Sequence, residues 1–458
     1  MTAAGLVEQA LSIATLPCVV IVREHTEANL RWAINALTTN GEVRSRTITV
    51  TATAPVDGGT SAGTVTRQVA GPDVVPSVVN AAEQIARSGP AAEDAMPLVS
   101  GDPAVGWQDE PQTTSIDVLA DLAEELGDAF SRARTQQELL FGYAEHSVTT
   151  TYLGVSTGLR RRGVKPNGRV EFNAKTTDRA SSAWVGAATR DFSDVDITAL
   201  HAELSTRLGW ARNKINLPPG HYETLLPPEA VADLMIYLHW TAGARDAEEG
   251  QNAFSAGEGK TKIGQRFSEL PITLRSDPYF PRVECLPFVD SLSTGQSVSL
   301  AFDGGLDIVG VNWISDGVLR DLVRNRGQAA RTGLEPTPPA DNLIMEGGGT
   351  ASLADMIART ERGLLLTCLW YIREVDPERL LLTGLTRDGV YLIEHGEITG
   401  AVNNFRFNES PIELLGRLTE VGAAEQTQCR EWSDFINRTV MPPVRVPDFN
   451  MSTVSQAS

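Results

Sequence analysis

From Thr273 to Val402 the chain is punctuated by Asp-Gly, Gly-Gly and His-Gly steps, and the pieces between them have strand-like composition. Turn dipeptides at this density leave no room for long helices, so the second half is predicted to be mainly β with a few helices. Ahead of it, Tyr222–Leu226 reads as a strand. It feeds a helix opened by Pro227-Pro228, with Glu229 in its first turn, that runs to about Gly243. Ile215 to Gly220 reads as a linker and divides the 458 residues into two domains, 1–219 and 220–458.

The first half is predicted to be α+β, which makes the whole chain α+β. Gly5–Thr15 reads as a short helix, Cys18–Val22 as a buried strand, and Val43–Ala52 as a strand with Ile48 and Val50 on one face. Leu30, Ala33, Ile34 and Leu37 have helical spacing with Thr26 as N-cap, so 26–37 is predicted as a helix. Val74–Arg87 and the amphipathic Ile116–Arg134 are further helices. Residues 90–112 hold Glu93, Asp94, Asp102, Asp109 and Glu110, prolines at 90, 97, 103 and 111, and no basic residue. That composition predicts a flexible acidic, Pro-rich surface insertion, with Trp107 as the anchor if it docks a partner. Leu139–Leu159, Arg169–Ala174 and Ala183–Thr189 read as an antiparallel meander, followed by a helix over Asp196–Asn213.

Asp plus Glu number 58 against 39 Lys plus Arg, a net charge of −19. Such a chain repels phosphate backbones, which argues against direct nucleic-acid binding. Met1–Pro17 contains no Lys or Arg and is interrupted by Glu8, unlike a signal peptide, and no apolar run approaches the roughly 20 residues of a membrane helix. The expected location is cytoplasmic, away from membranes. Cys18, Cys285, Cys368 and Cys429 form no C-x-x-C pair and are expected to be reduced.

Several short motifs fail on context. Gly154-Val155-Ser156-Thr157-Gly158 matches G-x-S-x-G, but Leu159 and three arginines follow where a nucleophile elbow needs a helix. Arg160–Arg162 reads as a solvated hairpin end or a dock for an acidic partner. Gly257–Gly264 places Lys260-Thr261 before its last glycine, not after it as a phosphate loop requires. Gly347–Gly349 reads as a turn between a strand and a helix. The six histidines include no i, i+4 or i, i+5 pair and no H-E-x-x-H, so no local zinc-protease motif is present.

The segment from Gly220 onward resembles the TldD/PmbA metalloprotease family, specifically its TldE (PmbA) branch. The likeness rests on Tyr222–Leu226 with Pro228-Glu229-Ala230, the helix to Leu238-His239, Ala253-Phe254-Ser255 and Lys262–Gln265. It continues through Thr273-Leu274, Asp277-Pro278, Ile314–Leu319, Ala330–Gly333, Tyr391–Glu394, Gly396-Glu397-Ile398 and Val402–Ser410. In the family's active partner, TldD, this helix carries zinc in the pattern H-E-x-x-x-H. Here the same positions read His239, Trp240 and Ala244, so one imidazole survives and the base and second ligand do not. The family's third ligand is a cysteine in a Cys-Gly step, and that step falls on Asn437-Arg438, with Cys429 nearby but out of register. Zinc needs several converging ligands and a base to activate water. Five residues along an ideal helix overshoot convergence by about 140°, so the family needs a widened, π-like turn that this chain has no ligand to justify. His239 is therefore expected to sit hydrogen-bonded in the core.

What the resemblance implies is a metal-free TldE-like subunit, not catalytic on its own. It would pair with a TldD-like subunit that holds the zinc, in an assembly that cleaves unfolded or extended peptides for proteolysis and peptide maturation. Arg387, Asp388 and Arg406, around the predicted hairpins of Leu382–Ser410, are the candidate substrate or partner face; alternation places Arg406 opposite Phe405 and Phe407. Two other classes stay open: a hydrolase built on Ser156, Asp303 or Asp307, and a stand-alone peptide-binding or regulatory protein.

Overall fold

The computed structural model describes residues 1–257, 259–290, 298–436 and 438–455. The first half is one six-stranded antiparallel sheet with helices on one face. The order along the chain is α1 (Ala3–Ile13), β1 (Cys18–Trp32), β2 (Leu37–Val56), β3 (Gly59–Gln68), α2 (Val74–Ser88), α3 (Ala120–Gln136), β4 (Glu138–Val155), β5 (Arg160–Thr176), β6 (Ser182–Thr189) and α4 (Ile197–Trp210). The strands lie in the order β3-β2-β1-β4-β5-β6. Period-two burial explains the layering. On β1, Cys18, Val20 and Val22 pack under α1 and α2, and Ala28, Leu30 and Trp32 continue the same face under α3 and α4. Val19 and Ile21 face the other way, onto Leu286, Phe288 and Phe302 from the second half.

Two expectations fail here. Residues 26–37 are strand and turn, not helix. Strand β1 runs through to Trp32, and residues 33–36 close a hairpin in which Ile34 (φ 52°) and Asn35 (φ 58°) are both left-handed. Residues 90–112 are not a loose insertion. They lie along the molecule as ordered coil: Leu98 and Trp107 are buried, the Trp107 ring meets Tyr152 at 5.7 Å, and its Nε1 donates to Glu8 at 3.1 Å. Asp94 accepts from Asn325 (2.8 Å) and Arg331 (3.1 Å) of the second half.

The second half begins with β7 (Lys214–Ile215), inside the stretch read as a linker, then β8 (Gly220–Leu226), α5 (Pro228–Trp240) and α6 (Ala244–Glu248). A small sheet uses β9 (Thr273–Ser276), β10 (Val311–Ser315), β11 (Val318–Leu319) and β12 (Ile344–Glu346). There follow β13 (Arg362–Leu366), β14 (Leu369–Asp376), β15 (Leu381–Thr386), β16 (Val390–Glu394), β17 (Glu397–Val402) and β18 (Phe405–Glu409). The last strands are β19 (Glu420–Val421), β20 (Glu425–Thr427), β21 (Thr439–Met441) and β22 (Val444–Val454). The small sheet runs β11-β10-β9-β12-β21-β20, and the large one β14-β15-β18-β22-β8-β13-β16-β17-β7, with β19 also paired to β22.

Thr386–Gly389 does not make the tight hairpin turn expected of it. β15 pairs with β18 and β14, and β16 pairs with β13 and β17. The stretch is instead a corner. The ladder carries through it by Thr367 N–H to Gly389 O (2.9 Å) and Arg387 N–H to Cys368 O (3.4 Å), so β13–β14 and β15–β16 form one long bent hairpin that rolls the sheet on itself. Gly389 is required there, because a Cβ would come within 1.8 Å of Thr367 Oγ1. His395-Gly396, with φ of 54° and 82°, does make the β16–β17 hairpin. Among the described residues no helix is long and apolar enough to cross a membrane.

Candidate functional site

Helix α5 is apolar on nearly every side: Ala230, Val231, Leu234, Met235, Ile236 and Leu238 are all buried, between the large sheet and the small one. Pro228 at its first position supplies the preset φ that starts it, directly after β8. His239 is in its last turn, 3% exposed, with its ring 4.8 Å from that of Trp313 on β10. Among the described residues neither ring nitrogen has a hydrogen-bond partner, contrary to expectation. Burial alone pushes its pKa down to about 4, so the imidazole is neutral near pH 7.

Trp240 meets Trp432 at 5.2 Å and Phe435 at 5.5 Å, and Tyr237 meets Trp432 at 5.6 Å, so aromatic rings fill the flank of the helix where the family pattern has its base. Thr241 caps α5, Gly243 bridges to Val323, and Ala244 opens α6 with its N–H on Val323 O at 2.9 Å. Positions 239 and 244 are thus separated by a helix break, with no widened turn between them. Among the described residues no three His, Cys, Asp or Glu side chains stand close enough to hold a metal ion. One imidazole, an indole and a methyl group do not fit a zinc ion.

The segment Cys429–Ile436 lies over α5. Asp233 accepts the Glu431 N–H at 2.9 Å, and its carbonyl accepts Trp432 Nε1 at 2.9 Å. Burial raises the Asp233 pKa well above the carboxylate range. Cys429 donates to Ile436 O at 2.9 Å. Asn437 lies outside the described residues; Arg438 is buried and donates to Pro166 O and Glu284 O, joining the two halves.

Arg430 is the centre of a junction that sequence reasoning missed. Its guanidinium lies between the rings of Trp184 (5.1 Å) and Trp370 (5.0 Å), pairs with Asp388 at 3.0 Å and touches the Cys368 sulfur. Asp388 also accepts from Ser182 of β6. The partners come from both halves and are far apart in sequence, so no spacing announces them. Of the predicted face, Arg387 and Asp388 are brought here, and Arg406 is not. Arg406 is exposed on β18 and donates to Thr383 Oγ1 at 3.3 Å, while Phe405 and Phe407 are fully buried, as alternation requires.

The other candidates are committed to structure. Ser156 Oγ accepts the Cys18 N–H at 3.0 Å. Asp303 is buried against Arg326 at 2.9 Å, and Asp307 pairs with Arg161 at 3.1 Å. Arg160 pairs with Glu8, and Arg162 donates to the Glu110 carbonyl, so the basic run is engaged within the chain. Gly349 lies against the backbone of β19, where a Cβ would come within 1.8 Å of Val421 O, so the glycine there serves close packing.

A ten-stranded rolled sheet and a smaller sheet thus enclose the helix that carries His239. Residues 219–453, just over half the chain, match the family model of the PmbA/TldA metallopeptidase C-terminal domain. The chain belongs to the TldD/PmbA family. Its fold is similar to that of TldE from Thermococcus kodakarensis (TM-score 0.76, 18% identity, 97% of this chain and 98% of that one). It is equally similar to a candidate modulator of a DNA gyrase from Thermotoga maritima MSB8 (TM-score 0.77, 16% identity, 97% and 99%). A protein from Bacteroides thetaiotaomicron VPI-5482 with the same description matches at TM-score 0.74 and 14% identity, covering 99% and 98%. No curated protein sequence matches the chain.

Proposed function

We propose that this chain is the metal-free, TldE-like member of a two-component peptidase. Its partner would be a TldD-like subunit that carries zinc, and the pair would cleave unfolded or extended peptides in the cytoplasm. One observation carries this reading. The three helix positions that hold zinc chemistry in the family's active branch are here a histidine sealed against Trp313, an indole in an aromatic cluster, and an alanine on the next helix. Catalysis of water attack needs converging ligands and a base, so the chemistry has to come from another chain. The likeness of fold to a TldE supports the same assignment. Purifying the chain alone and with a co-expressed TldD-like protein tests it: a stable complex, with peptidase activity and zinc confined to it, is expected. A chelator-sensitive peptidase in the purified single chain would overturn the proposal.

A further inference from the structure

The junction that holds Arg430 opens into a cleft of about 460 Å³, within the range of ligand pockets. Its walls come from both halves: the β5–β6 turn, β7, and the 387–391 corner. Four cationic side chains line it, Lys175, Arg179, Lys214 and Arg387, against one carboxylate, Asp388. Asp388 is already neutralised by Arg430 at 3.0 Å, and the neighbouring Asp178 spends its carboxylate on Thr176 and the Ala180 N–H. A chain of net charge −19 therefore concentrates positive charge here.

Three donors on residues that line the cleft are buried behind its surface and have no hydrogen-bond partner among the described residues: Arg387 Nε, Asn403 Nδ2 and the Tyr391 hydroxyl. Arg387 Nε lies 3.5 Å from Asp388 without bonding to it. Tyr391 is 1% exposed, so its unpaired hydroxyl carries the full penalty of a buried polar group. Four cations converging on one cleft describe the complement of a carboxylate. β7 adds a direction. It is the end strand of the large sheet, paired with β17 on one side, and residues 214–216 run along the cleft with no second strand beside them among the described residues. An end strand offers main-chain groups to an extended segment.

We propose that this cleft captures the α-carboxylate end of an extended peptide, with the last residues laid along β7. The proposal deepens, and rests on, the reading of this chain as a peptide-handling subunit. It is tested on this chain alone, by fluorescence anisotropy of an N-terminally labelled, unstructured hexapeptide and of the same peptide as its C-terminal amide. Failure here would leave the zinc-bearing partnership, which is read by co-purification, standing. The acid is expected to bind at least about tenfold more tightly than the amide, the worth of one charge-assisted contact. Arg179→Asn suits the left-handed backbone at that turn (φ 59°). Combined with Lys175→Gln it is expected to abolish the preference for the acid. Equal binding of acid and amide, no binding of either, indifference to the Arg179→Asn/Lys175→Gln variant, or displacement by inorganic phosphate as effective as by unlabelled peptide would each overturn it.

Discussion

Replacing His239 with Leu tests the packing of α5 directly. The imidazole is 3% exposed, both nitrogens are unpaired, and its pKa falls from 6.5 to about 4 through burial alone. A histidine depressed in the folded state takes up a proton more readily when unfolded. Stability linked to it is complete above pH 6.5 and is lost as pH falls toward 4. The fall from 6.5 to about 4 corresponds to about 3 kcal/mol, of which about 2 kcal/mol is lost by pH 5. His239→Leu removes that loss. It also removes two unsatisfied nitrogens, worth about 1–3 kcal/mol, against a shape mismatch of up to about 1.5 kcal/mol. The variant is expected to match or slightly exceed the wild type at pH 7.5 and to exceed it by roughly 2 kcal/mol more at pH 5. Urea unfolding followed by tryptophan fluorescence at half-unit pH steps measures this. Curves that stay parallel from pH 7.5 to 5, or a variant clearly less stable at pH 7.5, would show instead that His239 has a partner.

Three further outcomes are expected. Arg430→Ala leaves Asp388, 8% exposed in its side chain, without its closest cation and should lower unfolding stability by about 2–4 kcal/mol; a shift under 1 kcal/mol in urea would show that the Trp184–Arg430–Trp370 stack does not join the halves. Burial raises the thiols of Cys18, Cys285 and Cys368 to about 12 and that of Cys429 well above its usual value, so a thiol reagent at pH 8 should label none of them in the native protein and all four after denaturation. Ile34 holds φ of 52° as an exposed β-branched residue, and Ile34→Asn should raise stability by about 1 kcal/mol, read as an increase in Tm.

The second half was legible because its turns and the Pro-Pro helix start are local signals, and family positions fall on them in order. Strand β1 was misread because Leu30, Ala33, Ile34 and Leu37 fit a helix, while the alternation of Ala28, Leu30 and Trp32 is equally present and wins through pairing with β2 and β4 on both sides. The hairpin that ends it uses Ile34-Asn35, without the glycine that would have marked it. Residues 90–112 looked disordered because their acids find partners such as Arg331 more than two hundred residues away. The degenerate metal positions could be read from sequence, but their fate could not: whether a lone histidine is bonded or orphaned depends on Trp313 from another sheet. The cleft was invisible for the same reason, since Lys175, Arg179, Lys214 and Arg387 meet only when the two halves close.

Zinc content and peptidase activity, measured on the chain alone and on its complex with a co-expressed TldD-like protein, decide which subunit carries the chemistry. The single chain is expected to retain no zinc and to hydrolyse nothing after dialysis, and the complex to hold about one zinc per heterodimer and to cleave an unfolded peptide in a chelator-sensitive way. One zinc per single chain, or equal activity with and without the partner, would contradict it.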